Sequence, residues 1–511
     1  MNTPDQEHTP ADTEKPAAAS GRPDETPQIA VQINNDRKIR QAVVVIHGIG
    51  EQRPMATLRG FVDAVLADSK RNPRYRSKPD VMSDLLETRC LQAPRTRERP
   101  LTDFYEFYWA HHMRDAKYSQ VVGWLLRLVR RPPAAIPPGL KAAYWLSRGL
   151  ILSGLFCLLW ALGIEIRGAG TPGSLGLSER WPILAGLGAF VLQWVGSTFI
   201  LGYVADAARY LHPDPGNIEA RNKIRSEGIK LLKTLHASGK YRRIVIVGHS
   251  LGSVIGYDLI RTLWTELRKP VHPYRCKQAL LKEFGKKAQP LTTGESRNPE
   301  LFQQSQHNVW QEFRAIGIPW LITDFITLGS PLAHAQLLMA DDVADFARKK
   351  LEYEFPTCPP HPGEDLAYNQ TYRVGNSLCS VSVPHHGAPF ACVRWSNLYF
   401  PYARLIFGDL VGGPLAPAFG QGVRDIPVRP CVDGWLATTV ASHTQYWSGV
   451  LLAREAGRPA LKPSLNALVS ELRLDFLRGN SASIAPGDCQ QLPQVPAEAE
   501  RKTASGQPSS E

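Results

Sequence analysis

The sequence predicts an α/β fold in which helices cover both faces of a mostly parallel sheet, and three observations predict it. Residues 43–46 and 244–247 are β-branched apolar runs, which are too short for buried helices and are typical of buried parallel strands. Each run ends at a glycine-containing turn. A helix-compatible stretch follows the second run, and alternating strands and helices are the pattern of a parallel sheet.

The remaining elements follow in chain order. A helix is expected at about residues 56–67. Residues 217–237 are predicted to be helical because Ile224, Leu231 and Leu235 recur at spacings of seven and four and so share one face. Further strands are predicted at residues 103–109, around 325–328, at 394–399 and within 435–440.

The turn after the second apolar run is Gly248-His249-Ser250-Leu251-Gly252, the Gly-x-Ser-x-Gly pattern of a nucleophile elbow. A serine hydroxyl becomes a useful nucleophile when a tight strand-to-helix turn holds it beside a general base. Gly248 and Gly252 lack the side chains that would block such a turn. The pattern predicts Ser250 as a nucleophile and the Leu251 N–H as a donor to an oxyanion.

The turn after the first apolar run is His47-Gly48-Ile49-Gly50. A loop of this kind, after an earlier strand, supplies the second oxyanion donor of serine hydrolases that have the elbow. We therefore expect an N–H of Gly48 or Ile49 to bind the oxyanion. His47 and His249 lie inside the two turns and are expected to support them.

With these two turns the chain resembles the α/β-hydrolase superfamily, and specifically its lipase-like serine esterases. Four later segments carry the resemblance further: a strand with a Gly-Ser-Pro turn, a Trp-x-Asn strand, an Asp-x-x-Gly-Gly loop and a histidine loop. They are residues 325–332, 394–399, 407–413 and 441–447. The resemblance covers most of residues 40–455 and implies an α/β-hydrolase fold with long insertions.

The resemblance implies a catalytic triad in the chain order Ser250, Asp409, His443. His443 would take the Ser250 proton and later protonate the leaving alkoxide, and Asp409 would hold the imidazole tautomer. Asp425 and Asp433 also lie between the serine and the histidine and remain alternatives for the acid. Asp425 is interpreted as a loop carboxylate, and Asp433 as part of a turn before the final strand.

Other residues that carry reactive groups are given structural roles. The chain has 14 histidines, and His385 and His386 precede Asp409, which is the wrong order for the base. The eight cysteines are scattered and form no Cys-x-x-Cys pair, which favours reduced thiols over a disulfide framework or a zinc site. The triad needs neither a metal nor an organic cofactor, and we expect none.

Two apolar segments indicate a two-helix membrane hairpin at residues 142–205. Residues 181–205 contain no charged residue and are long enough to span a bilayer. Residues 142–164 are apolar apart from two serines and Arg148, which lies near the start and can extend to the headgroups. The alternative is a pair of buried helices that cap the sheet.

Flanking charge predicts the orientation of the hairpin. Five basic residues precede or open it, whereas two lie in its loop beside Glu165 and Glu179. The basic residues are Arg127, Arg130, Arg131, Lys141 and Arg148 outside the loop, and Arg167 and Arg180 within it. The positive-inside rule therefore places the catalytic side in the cytoplasm. Because the insertion leaves the carboxyl edge of the strands, the active site is expected to face the bilayer.

The domain organisation follows from composition. Residues 1–37 and 486–511 are predicted to be disordered tails, and no secretory signal peptide is expected. A hydrolase domain is expected at residues 38–455, interrupted by the hairpin and followed by an extension at 456–485. Polar segments at residues 268–318 and 352–392 are expected to be insertions that form lids or pocket walls.

The net charge of +12 does not indicate a nucleic-acid partner, because the basic residues are dispersed and no recognition module is present. Basic residues near the hairpin favour anionic lipid headgroups instead. The predicted function is a membrane-anchored serine hydrolase that cleaves lipid-like carboxylic esters. A thioesterase, amidase or peptidase on the same triad is one alternative, and a membrane scaffold without activity is another.

Overall fold

The computed structural model describes the central sheet, the helices around it and most of the loops between them. The described residues are 39–48, 53–67, 69, 73–113, 132, 133, 136, 141, 144, 145, 148, 149, 152–156, 159, 160, 186, 188, 210, 211, 215–270, 274, 275, 278–293, 299–361, 366–374, 377–402, 408–430, 440–447, 463–479, 490 and 491. The chain divides into two units, Met1–Ile39 and Arg40–Glu511. The two predicted tails lie outside the described residues, apart from residues 490 and 491.

An eight-stranded sheet forms the centre of the second unit. Its strands are β1 (Arg40–Ile46), β2 (Arg76–Pro79), β3 (Arg89–Ala93), β4 (Leu101–Phe107), β5 (Arg243–His249), β6 (Ile322–Leu328), β7 (Arg394–Tyr399) and β8 (Arg424–Pro427). Their order across the sheet is β8-β7-β6-β5-β1-β4-β3-β2. Every pair from β8 to β4 is parallel, and β3 pairs antiparallel with both β4 and β2. The predicted mostly parallel sheet is therefore confirmed.

Within the described part of the chain, seven helices have nine or more residues. They are α1 (Ala56–Val65), α2 (Pro215–Ala237), α3 (Leu251–Leu267), α4 (Ala279–Thr293), α5 (Pro299–Ala315), α6 (Val343–Leu351) and α7 (Pro463–Leu472). Short helical turns lie at Ala110–Met113, Pro331–His334, Ala335–Leu338, Pro389–Ala391, Ala416–Phe419, Val440–Thr444 and Phe476–Gly479. Two small antiparallel pairs join Ala367–Val374 to Ser377–Pro384 and Tyr274–Arg275 to Gln490–Gln491.

Helices cover both faces of the sheet because successive strand side chains point to opposite sides. In β1, Val43 and Val45 belong to one buried cluster, together with α1 and α7. Val44 and Ile46 belong to another, together with α2, α3 and α5. Both faces of the central strands are therefore apolar, which explains why these strands are continuous apolar runs.

The helix predicted at residues 217–237 is α2, and its buried face is the predicted one. Ile224, Leu231 and Leu235 are buried in the core, whereas Ile218 is exposed. Ile229 is also buried, although the sequence pattern placed it less well on that face. The helix therefore has a wider buried face than the seven-and-four spacing indicates.

One predicted polar insertion contains a core helix. α5 lies within residues 268–318 and buries Phe302, Val309 and Phe313 in the main cluster. These residues are spaced by seven and four, so they form an apolar stripe within a segment that is polar on average. The stripe packs α5 against the molecule, and this part of the insertion is not a surface lid.

The predicted C-terminal extension also contributes to the core. α7 lies within residues 456–485, and Leu465, Leu468 and Leu472 are buried in the cluster on the α1 side of the sheet. Full burial of one such side chain contributes roughly 1.5–3 kcal/mol. The described part of this segment is therefore a structural part of the same unit as the sheet.

Most of the predicted hairpin lies outside the described residues. Those of its residues that are described are helical, and several expose large apolar side chains: Trp145, Leu152, Leu155, Phe156, Leu159 and Trp160. Across the described part of the chain, no helix combines the length and the apolar character needed to cross a bilayer. The predicted final strand is likewise outside this part, except for Val440, which begins a helical turn.

Candidate active site

The topology brings the two predicted turns together. The chain passes from β1 to β4 on one side and then crosses to β5 on the other, so β1 and β5 flank the switch point of the sheet. Ligands of open α/β sheets bind at the carboxyl ends of strands at such a point. Gly48 follows β1 and Ser250 follows β5, and a Cβ on Gly48 would lie 2.8 Å from the Ser250 Cβ.

The elbow has the sharp geometry that its glycines predict. Ser250 has φ 52° and ψ −128°, and its N–H donates to the Leu328 carbonyl at 2.9 Å. A Cβ on Gly248 would lie 2.5 Å from the Ser253 Cα, and one on Gly252 would collide with carbonyls at the end of β1. Only glycine therefore fits at these two positions while strand and helix stay this close.

The three predicted triad side chains form one hydrogen-bonded chain. Ser250 Oγ and His443 Nε2 are 2.9 Å apart, and His443 Nδ1 and Asp409 Oδ2 are 2.9 Å apart. An ionised carboxylate only accepts, so the Nδ1–H donates to Asp409 and Nε2 accepts from the serine hydroxyl. All three side chains are buried. They come from three separate segments of the chain, and their catalytic roles remain a prediction.

Asp409 is held ionised by its surroundings. Its Oδ1 accepts from the Val411 N–H at 2.8 Å, and its Oδ2 also accepts from the Tyr446 hydroxyl at 2.9 Å. Burial raises the pKa of this carboxyl, but the charge of His443 and the hydrogen bonds outweigh burial and lower the pKa to about 2. A carboxylate that stays charged at neutral pH can stabilise an imidazolium.

Two glycines allow the histidine and the acid to approach each other. Gly329 follows β6 with φ +56°, and a Cβ there would lie 2.9 Å from Asp409 Oδ2 and 3.0 Å from His443 Cε1. A Cβ on Gly412 would lie 2.7 Å from the same carboxylate oxygen. The Gly-Ser-Pro turn and the Asp-x-x-Gly-Gly loop therefore meet at Asp409.

His249 supports the histidine loop. Its Nε2–H donates to the main-chain carbonyl of His443 at 2.9 Å, and its ring contacts Tyr446 and Trp447. Burial, followed by the charge of His443, lowers the pKa of His249 to about 3. The ring is thus neutral and acts as a fixed donor to the histidine loop, and not to the elbow turn that it was expected to support.

His47 supports the loop after β1. Its Nδ1–H donates to the Gly48 carbonyl at 2.7 Å, and its ring stacks on Trp109 with centroids 5.1 Å apart. Burial lowers the pKa of His47 to about 4, so this ring is also neutral. Leu251 is the first residue of α3, and its N–H has no acceptor within that helix. Ile49, the other predicted oxyanion residue, lies outside the described residues.

Glu106 is a buried acid near this loop that sequence reasoning missed. It lies on β4 and accepts from the Met55 N–H at 2.5 Å, just before α1. Met55 has φ 70°, and its side chain does not cap the helix. Burial raises the pKa of Glu106 to about 7. A polar residue in an alternating strand is ordinary in sequence, so nothing local distinguishes it.

Among the described residues, no hydrogen bond or ion pair joins the alternative acid Asp425 to the histidine loop. Asp425 lies on strand β8 and not in a loop, and it accepts from the side chain of Asn397 at 2.7 Å and from the N–H groups of Leu415 and Ala416 at 2.9 Å. Burial raises its pKa. Asp425 thus anchors the segment after the acid loop, while Asp433 lies outside the described residues.

Tyr446 contacts Asp409, although a search for the three triad residues does not identify it. Its hydroxyl donates to Asp409 and accepts from the Phe400 N–H at 3.2 Å, so it joins the acid to the end of β7. Its position three residues after His443 is the only sequence signal for this role. His385 and His386, by contrast, pack around Tyr353.

No family model matches the chain, and neither a curated protein nor a solved structure matches it.

Proposed function

We propose that this chain is a serine hydrolase of the α/β-hydrolase type, anchored in a membrane and acting on lipid-like carboxylic esters. Ser250 is the nucleophile, His443 the general base and acid, and Asp409 the residue that orients His443. The observation that carries the proposal is the continuous Ser250–His443–Asp409 hydrogen-bonded chain at an elbow residue with φ 52°. This constellation is recognised by geometry and roles.

Acylation of the serine is the first half of the proposed reaction. Ser250 Oγ attacks the ester carbonyl carbon while its proton passes to His443 Nε2, and Asp409 stabilises the imidazolium. The Leu251 N–H and an N–H of Gly48 or Ile49 bind the oxyanion, and one such donor contributes about 2.7–4 kcal/mol.

The intermediate then breaks its bond to the leaving oxygen, which takes the proton from His443 and departs as an alcohol. Water attacks the acyl-enzyme as His443 removes its proton. That proton returns to Ser250 Oγ when the carboxylic acid leaves. No electron is exchanged, and no cofactor is required.

The membrane anchor is proposed at residues 142–205. Its support is the charge-free run at residues 181–205 and the exposed apolar side chains near the start of the segment. An exposed apolar patch in water marks a binding surface or a membrane contact. Such an anchor would suit a substrate that is itself dissolved in the bilayer.

The triad does not determine which class of acyl bond is hydrolysed, so alternatives to an ester are kept. A thioesterase, amidase or peptidase would use the same residues, whereas a scaffold without activity would not need the hydrogen-bonded chain. A fluorophosphonate probe, which reacts with an activated serine, separates enzyme from scaffold. The wild type should be labelled, and Ser250→Ala should not.

Ser238→Ala is the matched control, since Ser238 lies in a turn beyond the end of α2. It should be labelled like the wild type. Thermal unfolding should show that Ser250→Ala is folded, because an elbow serine contributes chemistry more than packing. A folded Ser250→Ala protein that hydrolyses esters at the wild-type rate would overturn the proposal.

A further inference from the structure

Two adjacent histidines and a glutamate form a cluster outside the triad. His111 and His112 lie in the helical turn Ala110–Met113, directly after β4, and Glu227 lies on α2. Glu227 Oε2 is 2.9 Å from His112 Nε2 and 3.7 Å from His111 Nε2. The chain between these two elements contains the whole predicted hairpin.

The separations suit a small metal ion. The three candidate ligand atoms all lie within 4.8 Å of one another. Zinc bonds to histidine nitrogen and carboxylate oxygen are roughly 2.0–2.2 Å, so tetrahedral ligand atoms are about 3.3 Å apart. The distances from Glu227 Oε2 to the Nε2 atoms of His112 and His111, 2.9 Å and 3.7 Å, lie on either side of that value.

A second observation concerns His112 itself. Its Nε2 is buried and forms no hydrogen bond with any described residue, although the Glu227 carboxylate is close. A hydrogen bond needs the N–H to point at the acceptor, so a short distance alone does not make one. A buried polar atom that forms no hydrogen bond calls for an explanation, and a bound ion supplies one.

The cluster is accessible to an ion from solvent. The side chains of His111, His112 and Glu227 are 23%, 13% and 39% exposed. Glu227 also lines a cavity together with Met82 and Tyr108. Three protein ligands at a partly open site leave a fourth position for water.

We propose that His111, His112 and Glu227 bind a divalent transition metal, with Zn²⁺ as the expected ion. Two imidazoles and one carboxylate are a ligand set suited to zinc. The ion would clamp the turn after β4 to α2, where the chain leaves the sheet and returns to it. It would stabilise this junction and take no part in the triad chemistry.

Direct binding measurements test the proposal. The full chain, purified in detergent and treated with a chelator, is dialysed against Zn²⁺, and Co²⁺ is used to record a ligand-field spectrum. We expect one ion per chain and a higher melting temperature with Zn²⁺. Glu227→Gln and His112→Ala should each weaken binding by more than the roughly 10- to 100-fold typical of losing an outer-shell partner.

The control is His386→Ala, since His385 and His386 are also adjacent histidines. This variant and Ser250→Ala should bind Zn²⁺ like the wild type, so the metal test is independent of the proposed hydrolysis. Glu227→Gln alone decides the result if His112→Ala does not fold. Equal Zn²⁺ binding by Glu227→Gln and the wild type, or no stoichiometric binding by the wild type, would overturn the proposal.

Discussion

At the scale of single residues, the backbone of Ser250 holds its hydroxyl toward His443. A non-glycine residue in a rarely populated conformation costs about 1–3 kcal/mol, so the surrounding structure must maintain it. The bond from the Ser250 N–H to Leu328 and the two glycines of the elbow do so. The backbone strain therefore lies at Ser250, the residue whose hydroxyl is the proposed nucleophile.

Asp409→Asn should lower turnover of p-nitrophenyl butyrate by orders of magnitude while the protein stays folded, because His443 loses the carboxylate that sets its tautomer. Asp425→Asn should retain most turnover, since Asp425 contacts Asn397 and two main-chain N–H groups instead. Asp433→Asn should also retain most turnover. Turnover and melting temperature of the three variants check this. If Asp425→Asn or Asp433→Asn were the inactive one, the acid would be misassigned.

Tyr446→Phe should raise the pKa of Asp409, because it removes a hydrogen bond to the charged form. The folded pKa of about 2 lies below the ordinary 3.8, so this group's contribution to stability is present above pH 4 and lost as pH falls through 2. The variant should unfold at a higher pH during acid titration, followed by tryptophan fluorescence. Its turnover should fall roughly 10-fold, as expected for one hydrogen bond to a charged group.

Tyr368→Phe is the control for this change. Tyr368 lies on the strand Ala367–Val374 of a small antiparallel pair, and its hydroxyl contacts Arg268. Its acid titration and turnover should match the wild type. Superimposable acid titrations for Tyr446→Phe and the wild type would show that the tyrosine does not act on Asp409.

At the scale of elements, a buried ion-pair network joins α7 to the sheet. Asp324 on β6 pairs with Arg243 on β5 and with Arg394 on β7. Arg394 also contacts Glu471 on α7, and Arg243 donates to the Leu472 carbonyl. Breaking a buried pair on one side costs roughly 3–5 kcal/mol, because it leaves a charge without its partner.

Deleting residues 456–511 should therefore prevent folding. The deletion exposes the apolar surface beneath α7 and removes partners of Arg243 and Arg394, and both losses are large beside a total stability of about 5–15 kcal/mol. Deleting residues 492–511 should leave melting temperature and turnover unchanged, because these residues belong to the tail that composition predicts to be disordered. Solubility and circular dichroism compare the two. A folded, active protein lacking residues 456–511 would show that α7 is dispensable.

At the scale of the whole molecule, the proposed hairpin would determine where the proposed hydrolase works. Replacing residues 142–205 with a Gly/Ser linker should move the protein from the membrane fraction to the soluble fraction, since the apolar spans are lost. Extraction with carbonate is the matched measurement on the intact chain. Aggregation of the deletion variant, combined with release of the intact protein by carbonate, would indicate core helices instead.

The same deletion tests whether the anchor delivers the substrate. Activity on p-nitrophenyl butyrate should persist, because the triad is untouched, whereas activity on long-chain lipid in vesicles should fall sharply. Confinement of two partners to one surface raises effective concentration by orders of magnitude. The ratio of the two activities cancels any general loss of folded enzyme. An unchanged ratio would mean that the anchor sets location only.

Local patterns in the sequence were sufficient for the parallel sheet, for helix α2 and for the two glycine turns. Strand period, helix period and the absence of a side chain at a tight turn are properties of neighbouring residues. The elbow from Gly248 to Gly252 is the strongest case, because its pattern is carried by five adjacent residues, although the β1 carbonyls that exclude a side chain at Gly252 are distant in sequence. The catalytic roles of Ser250, Asp409 and His443 remain predictions, as does the membrane hairpin.

The tertiary structure alone decided which distant groups meet. The sequence favours Asp409 and leaves Asp425 as an alternative. In the structure Asp409 accepts from His443, whereas Asp425 accepts from the segment after the acid loop. Tyr446, the core helices α5 and α7, and the cluster at Glu227 were missed for the same reason. Their contacts span tens to hundreds of residues, and a side chain's partner at that range depends on how the strands are ordered in space.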